Sequence, residues 1–84
     1  MKIERLSAKA EDYLETILRL SETPRGARTG DIAEALDVQP STVSAALKSL
    51  KEQGLLDYSP YGAVGLTPKG RQVAEDVSGR HVAL

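Results

Sequence analysis

Apolar side chains return along this chain at helical spacing in several places and at strand spacing in one. Ala10, Tyr13, Leu14, Ile17 and Leu18 fall at i, i+3, i+4, i+7 and i+8, which predicts an amphipathic helix ending near Ser21. Ser7 stands before it as an N-cap. Pro24 and Gly26 break the pattern, and Ala27 and Arg28 read as a short extended piece. Ile32, Ala33 and Leu36 form the inner face of a second helix. Thr29 is placed to cap it, with Asp31 in its first turn. That helix stops near Asp37, a residue type that tolerates the left-handed conformation. Pro40 suits the first position of a third helix, whose stripe is Val43, Ala46, Leu47 and Leu50 and whose stop is Gly54. Leu55 to Tyr58 and Ala63 to Leu66 read as two strands joined by a turn over Ser59, Pro60, Tyr61 and Gly62. Thr67 caps a last helix with Pro68 at its first position and Val73, Ala74 and Val77 on its apolar face, before Gly79 weakens it ahead of Arg80 and His81.

The order helix, helix, helix, hairpin, helix describes a mainly α chain with a small β-hairpin. Two helices joined by a tight turn and followed by a hairpin make a winged helix-turn-helix: three helices, a two-stranded wing and the start of a fourth helix. The 84 residues read as one domain, which buries roughly 60–65% of its unfolded surface. Without cysteine there is neither a disulfide nor a thiolate metal site. The charged start and the lack of any long apolar run predict a cytoplasmic protein with no membrane partner. An enzyme finds little support: one histidine, no cysteine and no glycine-rich phosphate loop leave no nucleophile with a base beside it.

The apolar stripe of the third helix fixes what it leaves outside. Ser41, Thr42, Ala45, Lys48 and Ser49 face away from the core, with Ser44 at the margin. A small, hydroxyl-bearing face opening on Pro40 suits the major groove of double-stranded DNA, where hydroxyls reach base edges or phosphates and methyls meet thymine. The interface is predicted at Thr29, Gln39, Pro40, Ser41, Thr42, Ser44, Ala45, Lys48 and Lys51, with the two lysines on phosphates. The net charge is −1, but residues 39–71 carry Lys48, Lys51, Lys69 and Arg71 against Glu52 and Asp57, a local excess of two positive charges. That footprint is weak.

The segments KAEDYLETILRL, ARTGDIAEALDVQPSTVSAALKSLKEQGLL, PYGAVGLTPKGR and RH resemble the N-terminal domain of the metal-dependent repressors, the diphtheria toxin repressor and manganese transport regulator family. The resemblance spans about residues 7–81. It implies a transcriptional repressor that binds a palindromic operator as a homodimer when charged with Mn²⁺ or Fe²⁺. It implies metal ligands at Asp12 and Glu15 on the first helix and at His81 after the wing. Iron-sensing members tend to carry methionine at the position of Asp12, so the carboxylate leans towards manganese. Two carboxylates and an imidazole suit either ion. Taken alone, the same carboxylates read as a solvated helix face.

Two departures from the family pattern stand out. The family continues into a dimerisation domain with further metal ligands, so the chain is expected to lack that domain, either as a short relative or as a fragment. The wing segment PYGAV carries none of the basic residues that relatives place there. Tyr58 and Tyr61 are expected to pack on the first helix rather than to reach phosphate. The competing readings are a winged helix serving as a protein-interaction module and a short relative that has lost its metal response.

Overall fold

The computed structural model describes residues 8–58 and 62–82, with side chains described as far as residue 77. The elements run α1 (Ala8–Ser21), β1 (Ala27–Arg28), α2 (Thr29–Leu36), α3 (Pro40–Glu52), β2 (Leu56–Tyr58), β3 (Ala63–Leu66) and α4 (Pro68–Val82). The winged helix-turn-helix predicted from the apolar spacing is present. The predicted cap at Ser7, the turn residues Ser59 to Tyr61 and the side chains of Gly79, Arg80 and His81 lie outside the described residues.

Helix α1 is the central element. Tyr13, Leu14 and Ile17 are buried on it, and it packs against α2, α4 and the sheet. Ala27, Ile32, Ala33, Val43, Leu47, Leu50, Leu55, Leu56, Val64 and Ala74 complete the core. Full burial stabilises by roughly 1.5–3 kcal/mol for each large aliphatic side chain. The apolar stripes of α1 and α3 thus pin both helices about their axes, and that decides which face of α3 meets solvent.

Four expectations need correction. The wing is a three-stranded antiparallel sheet in the order β1-β3-β2, because Ala27 and Arg28 pair with Val64 and Ala63. Thr29 does not cap α2: the chain is still extended at Arg28, no side chain caps the helix, and Thr29 is its first helical residue. The last helix is a full element running past Gly79 to Val82, held by the packing of Ala74 and Val77. Tyr58 does not pack away: it is 44% exposed, because β2 is an edge strand of the sheet.

Candidate nucleic-acid interface

The turn between α2 and α3 is built by one left-handed residue. Asp37 sits at φ 57° and ψ 50°. Its N–H donates to Glu34 O at 3.3 Å, and that of Val38 donates to Ala33 O at 3.0 Å. These paired bonds form a Schellman motif, which satisfies carbonyls at the helix end. Gln39 is then extended, and Pro40 opens α3.

The same closure ends α3. Gly54 at φ 79° lets its N–H donate to Lys51 O at 2.9 Å and that of Leu55 to Leu50 O at 3.0 Å. Residues 67–70 then clasp this corner. The Thr67 N–H donates to Leu55 O at 3.1 Å. The Thr67 hydroxyl donates to Gly54 O at 2.7 Å and accepts from the Gly70 N–H at 3.0 Å, which caps α4 as predicted. Lys69 Nζ donates to Gln53 O at 3.4 Å, at the negative end of α3. The clasp is the physical content of the LTPKG block. It fixes the end of α3 to the start of α4.

Gln39, Pro40, Ser41, Thr42, Ser44, Ala45, Lys48, Ser49 and Lys51 are all exposed, while Val43, Leu47 and Leu50 are buried. Every α3 residue predicted for DNA is therefore exposed, with Ser41, Ala45 and Lys48 most directly opposite the buried stripe. Thr29, on α2, is half-buried. No side chain caps α3, and no acidic residue occupies its first turn, so its positive end is not offset from within. The Ser49 hydroxyl accepts from Gln53 Nε2 at 3.4 Å, which places Ser49 at the far end of the face.

The basic segment divides on inspection. Lys69 is turned onto the end of α3, and Arg71 pairs with Glu75 at 3.3 Å. Lys48 and Lys51 remain as the cations on the exposed face of α3. Apolar periodicity did not flag the clasp or the Arg25–Asp31 ion pair at 3.2 Å. The run Thr67-Pro68-Lys69-Gly70 did carry a signal for the clasp, since Gly at the third position of a helix is unfavourable unless something approaches closely.

Asp12 is exposed and Glu15 half-buried on α1. A small open cleft of about 120 Å³ beside Asp12 is lined by Lys9, Asp12, Tyr13, Leu36 and Val38. Among the described residues no three His, Cys, Asp or Glu side chains gather as a metal site. His81 belongs to α4, which packs on α1, but its side chain lies outside the described residues.

Comparison with known proteins adds the following. Residues 5–64 match the family model of the iron dependent repressor N-terminal DNA binding domain. The HTH-type transcriptional regulator MntR of Oceanobacillus iheyensis is 43% identical over 74 residues, covering 88% of this chain and 50% of that protein. MntR of Geobacillus kaustophilus is also 43% identical, over 88% of this chain and 52% of that protein. The chain thus spans about half the length of the curated relatives it matches. Lactococcus lactis ZitR superposes with a TM-score of 0.76 at 28% identity, over 98% of this chain and 55% of that one. The MepR–DNA complex of S. aureus superposes at 0.73 and 22% identity, over 92% of this chain and 59% of that one, a likeness that bears on the fold alone.

Proposed function

The chain belongs to the iron-dependent repressor family, and from that premise we propose that it is the DNA-binding part of a metal-responsive transcriptional repressor. One observation carries the reading: Pro40, Ser41, Thr42, Ser44, Ala45, Lys48 and Lys51 are all exposed on α3, while Val43, Leu47 and Leu50 lock the helix into the core and leave Ser41, Ala45 and Lys48 pointing outward. α3 lies in the major groove. Ser41, Thr42, Ser44 and Ala45 meet base edges, and Gln39 and Thr29 flank them. Lys48 and Lys51 hold phosphates and set the position without reading sequence. The backbone N–H groups at the start of α3 add attraction for a phosphate.

A single copy presents few cations, so tight and specific binding needs a second. A homodimer on a palindromic operator supplies it, in keeping with the symmetry of helix-turn-helix repressors. Relatives bearing the name of transcriptional regulators favour DNA over a protein-interaction role. Among the described residues no helix is long and apolar enough to cross a membrane, and a DNA-binding role places the protein in the cytoplasm without catalytic activity.

The donor chemistry fits a hard divalent ion in part. Asp12 and Glu15, three residues apart on α1, offer carboxylate oxygens, and His81 on α4 offers an imidazole. These residues would hold Mn²⁺ or Fe²⁺, with further ligands from water or from the rest of the protein. Such an ion would supply positive charge to offset these carboxylates. The residues themselves act through packing: α4 is clasped to the end of α3 by Thr67 and Lys69, so the seating of α4 on α1 bears on the pose of the reading helix.

The test is a mobility shift on duplexes of random sequence with and without Mn²⁺. Retention that falls with salt and rises with Mn²⁺ supports the whole reading. Retention indifferent to Mn²⁺ leaves the DNA role and removes the metal response. No retention at low salt removes both.

A further inference from the structure

The wing hairpin has no basic residue of its own: between Leu56 and Leu66 the charged side chain is Asp57. The structure brings one to it from elsewhere. β1 pairs with β3 so that Arg28 lies opposite Ala63. Ala27 and Val64 are buried on the inner face of the sheet. Alternation along a strand puts Arg28 on the other face, with Ala63 and Gly65, and these three are only partly buried. Arg28 Nη1 reaches to 3.5 Å from the point where a Cβ would stand on Gly62. Gly62 adjoins the wing turn and has φ 87°. The guanidinium thus lies beside Gly62, next to Ala63 across the strand pair, where neither residue is bulky enough to hold another molecule at a distance.

We infer that Arg28 is the cation of the wing, a phosphate-binding residue delivered to the hairpin by β1, and that it anchors DNA beside α3. The inference rests on the DNA-binding reading of α3 and adds a second point of attachment to it. The residue after Arg28 opens α2, so the same backbone that seats the first helix of the motif also seats this cation. Arg28 has other interactions in the fold. Arginine has several donors in a planar fork, so it can keep a protein partner while it binds an oxyanion. The contact gives position and affinity, not sequence preference.

The test compares the unaltered chain with Arg28→Met, Arg28→Lys and Lys48→Ala on a mixed pool of random-sequence duplexes, with salt raised from about 50 to about 200 mM. Each lost phosphate contact flattens the slope of log affinity against log salt by about 0.9, which shrinks the affinity loss across that range by about 3.5-fold. Arg28→Met, which keeps an apolar stem, and Lys48→Ala should each show this flattening, whereas Arg28→Lys keeps the original slope. A role confined to holding β1 lowers the melting temperature and leaves the slope unchanged, and that result for Arg28→Met overturns the inference. Should Arg28→Met fail to fold, the Arg28 Nε–H resonance of the unaltered chain decides: it shifts on adding duplex, or the inference is wrong. Binding with a normal Lys48→Ala effect but none from Arg28 sinks this inference alone. Absence of salt-dependent binding by the unaltered chain sinks the DNA reading with it.

Discussion

Replacing Gly70 with alanine should reverse the usual sign of that substitution. In an open helix, Gly→Ala stabilises by about 1 kcal/mol. At Gly70 a Cβ would overlap the carbonyl oxygen of Leu55 and lie 2.8 Å from its carbonyl carbon and 3.2 Å from its Cα. All three are backbone atoms, so no side chain can rotate away. Leu55 is also fixed from both sides, its N–H on Leu50 O at 3.0 Å and its O under the Thr67 N–H at 3.1 Å. Relief therefore requires α4 to lift from the end of α3. Overpacking of this kind costs about 1–3 kcal/mol. Stretching the Thr67 bonds to Leu55 and Gly54 adds about 1 kcal/mol each. Less the helical gain, the net loss is about 2–4 kcal/mol, a drop of about 10–30 °C in Tm for a domain of this size. Thermal and urea denaturation followed by circular dichroism reads it. Gly30→Ala is the control, since nothing lies within 4 Å of its Cβ position and it needs no positive φ; it should be neutral or stabilising by up to about 1 kcal/mol. If Gly70→Ala is as stable as Gly30→Ala, the close approach of α4 to Leu55 is wrong, and the clasp with it.

Asp37→Gly should stabilise by up to about 1 kcal/mol, and Asp37→Val should destabilise by about 1–2 kcal/mol, because the residue sits at φ 57°; equal stability of the two in urea would refute the left-handed turn. The Tyr13 hydroxyl is buried with no hydrogen-bond partner among the described residues. Tyr13→Phe should therefore raise stability by about 1 kcal/mol, and a loss of that size would reveal a hidden partner. Calorimetric titration of Mn²⁺ should give heat with the unaltered chain and less with Asp12→Ala, whereas identical heats would remove Asp12 from the metal reading.

The helices were legible because each apolar stripe faces a real neighbour: Val43, Leu47 and Leu50 were assigned to the core from spacing and are buried there. The turn was legible at Asp37 because few other residue types tolerate its conformation. The third strand was visible only as a short extended piece, since two residues carry no period and β1 exists by pairing with β3. Tyr58 was misplaced because aromatic character says nothing about whether a strand is an edge. Charge counting along the sequence carries no orientation: Lys69 turns onto the end of α3 and Arg71 pairs with Glu75 along α4, which only the fold shows. The exposed side of α3, proposed for DNA, was legible from the buried stripe opposite it. The proposed metal residues rest on resemblance alone, because carboxylates on an exposed helix look alike whether or not they bind an ion.

Selection from a pool of random duplexes tests the central claim, that the exposed face of α3 reads base sequence. Three proteins are compared: the unaltered chain, Thr42→Ala and Lys48→Ala. The account predicts an enriched sequence for the unaltered chain and a changed preference for Thr42→Ala. Lys48→Ala should enrich the original sequence at lower affinity, with the loss spread alike over all duplexes. No enrichment by the unaltered chain, or a Thr42→Ala protein that merely binds every sequence more weakly, would contradict it.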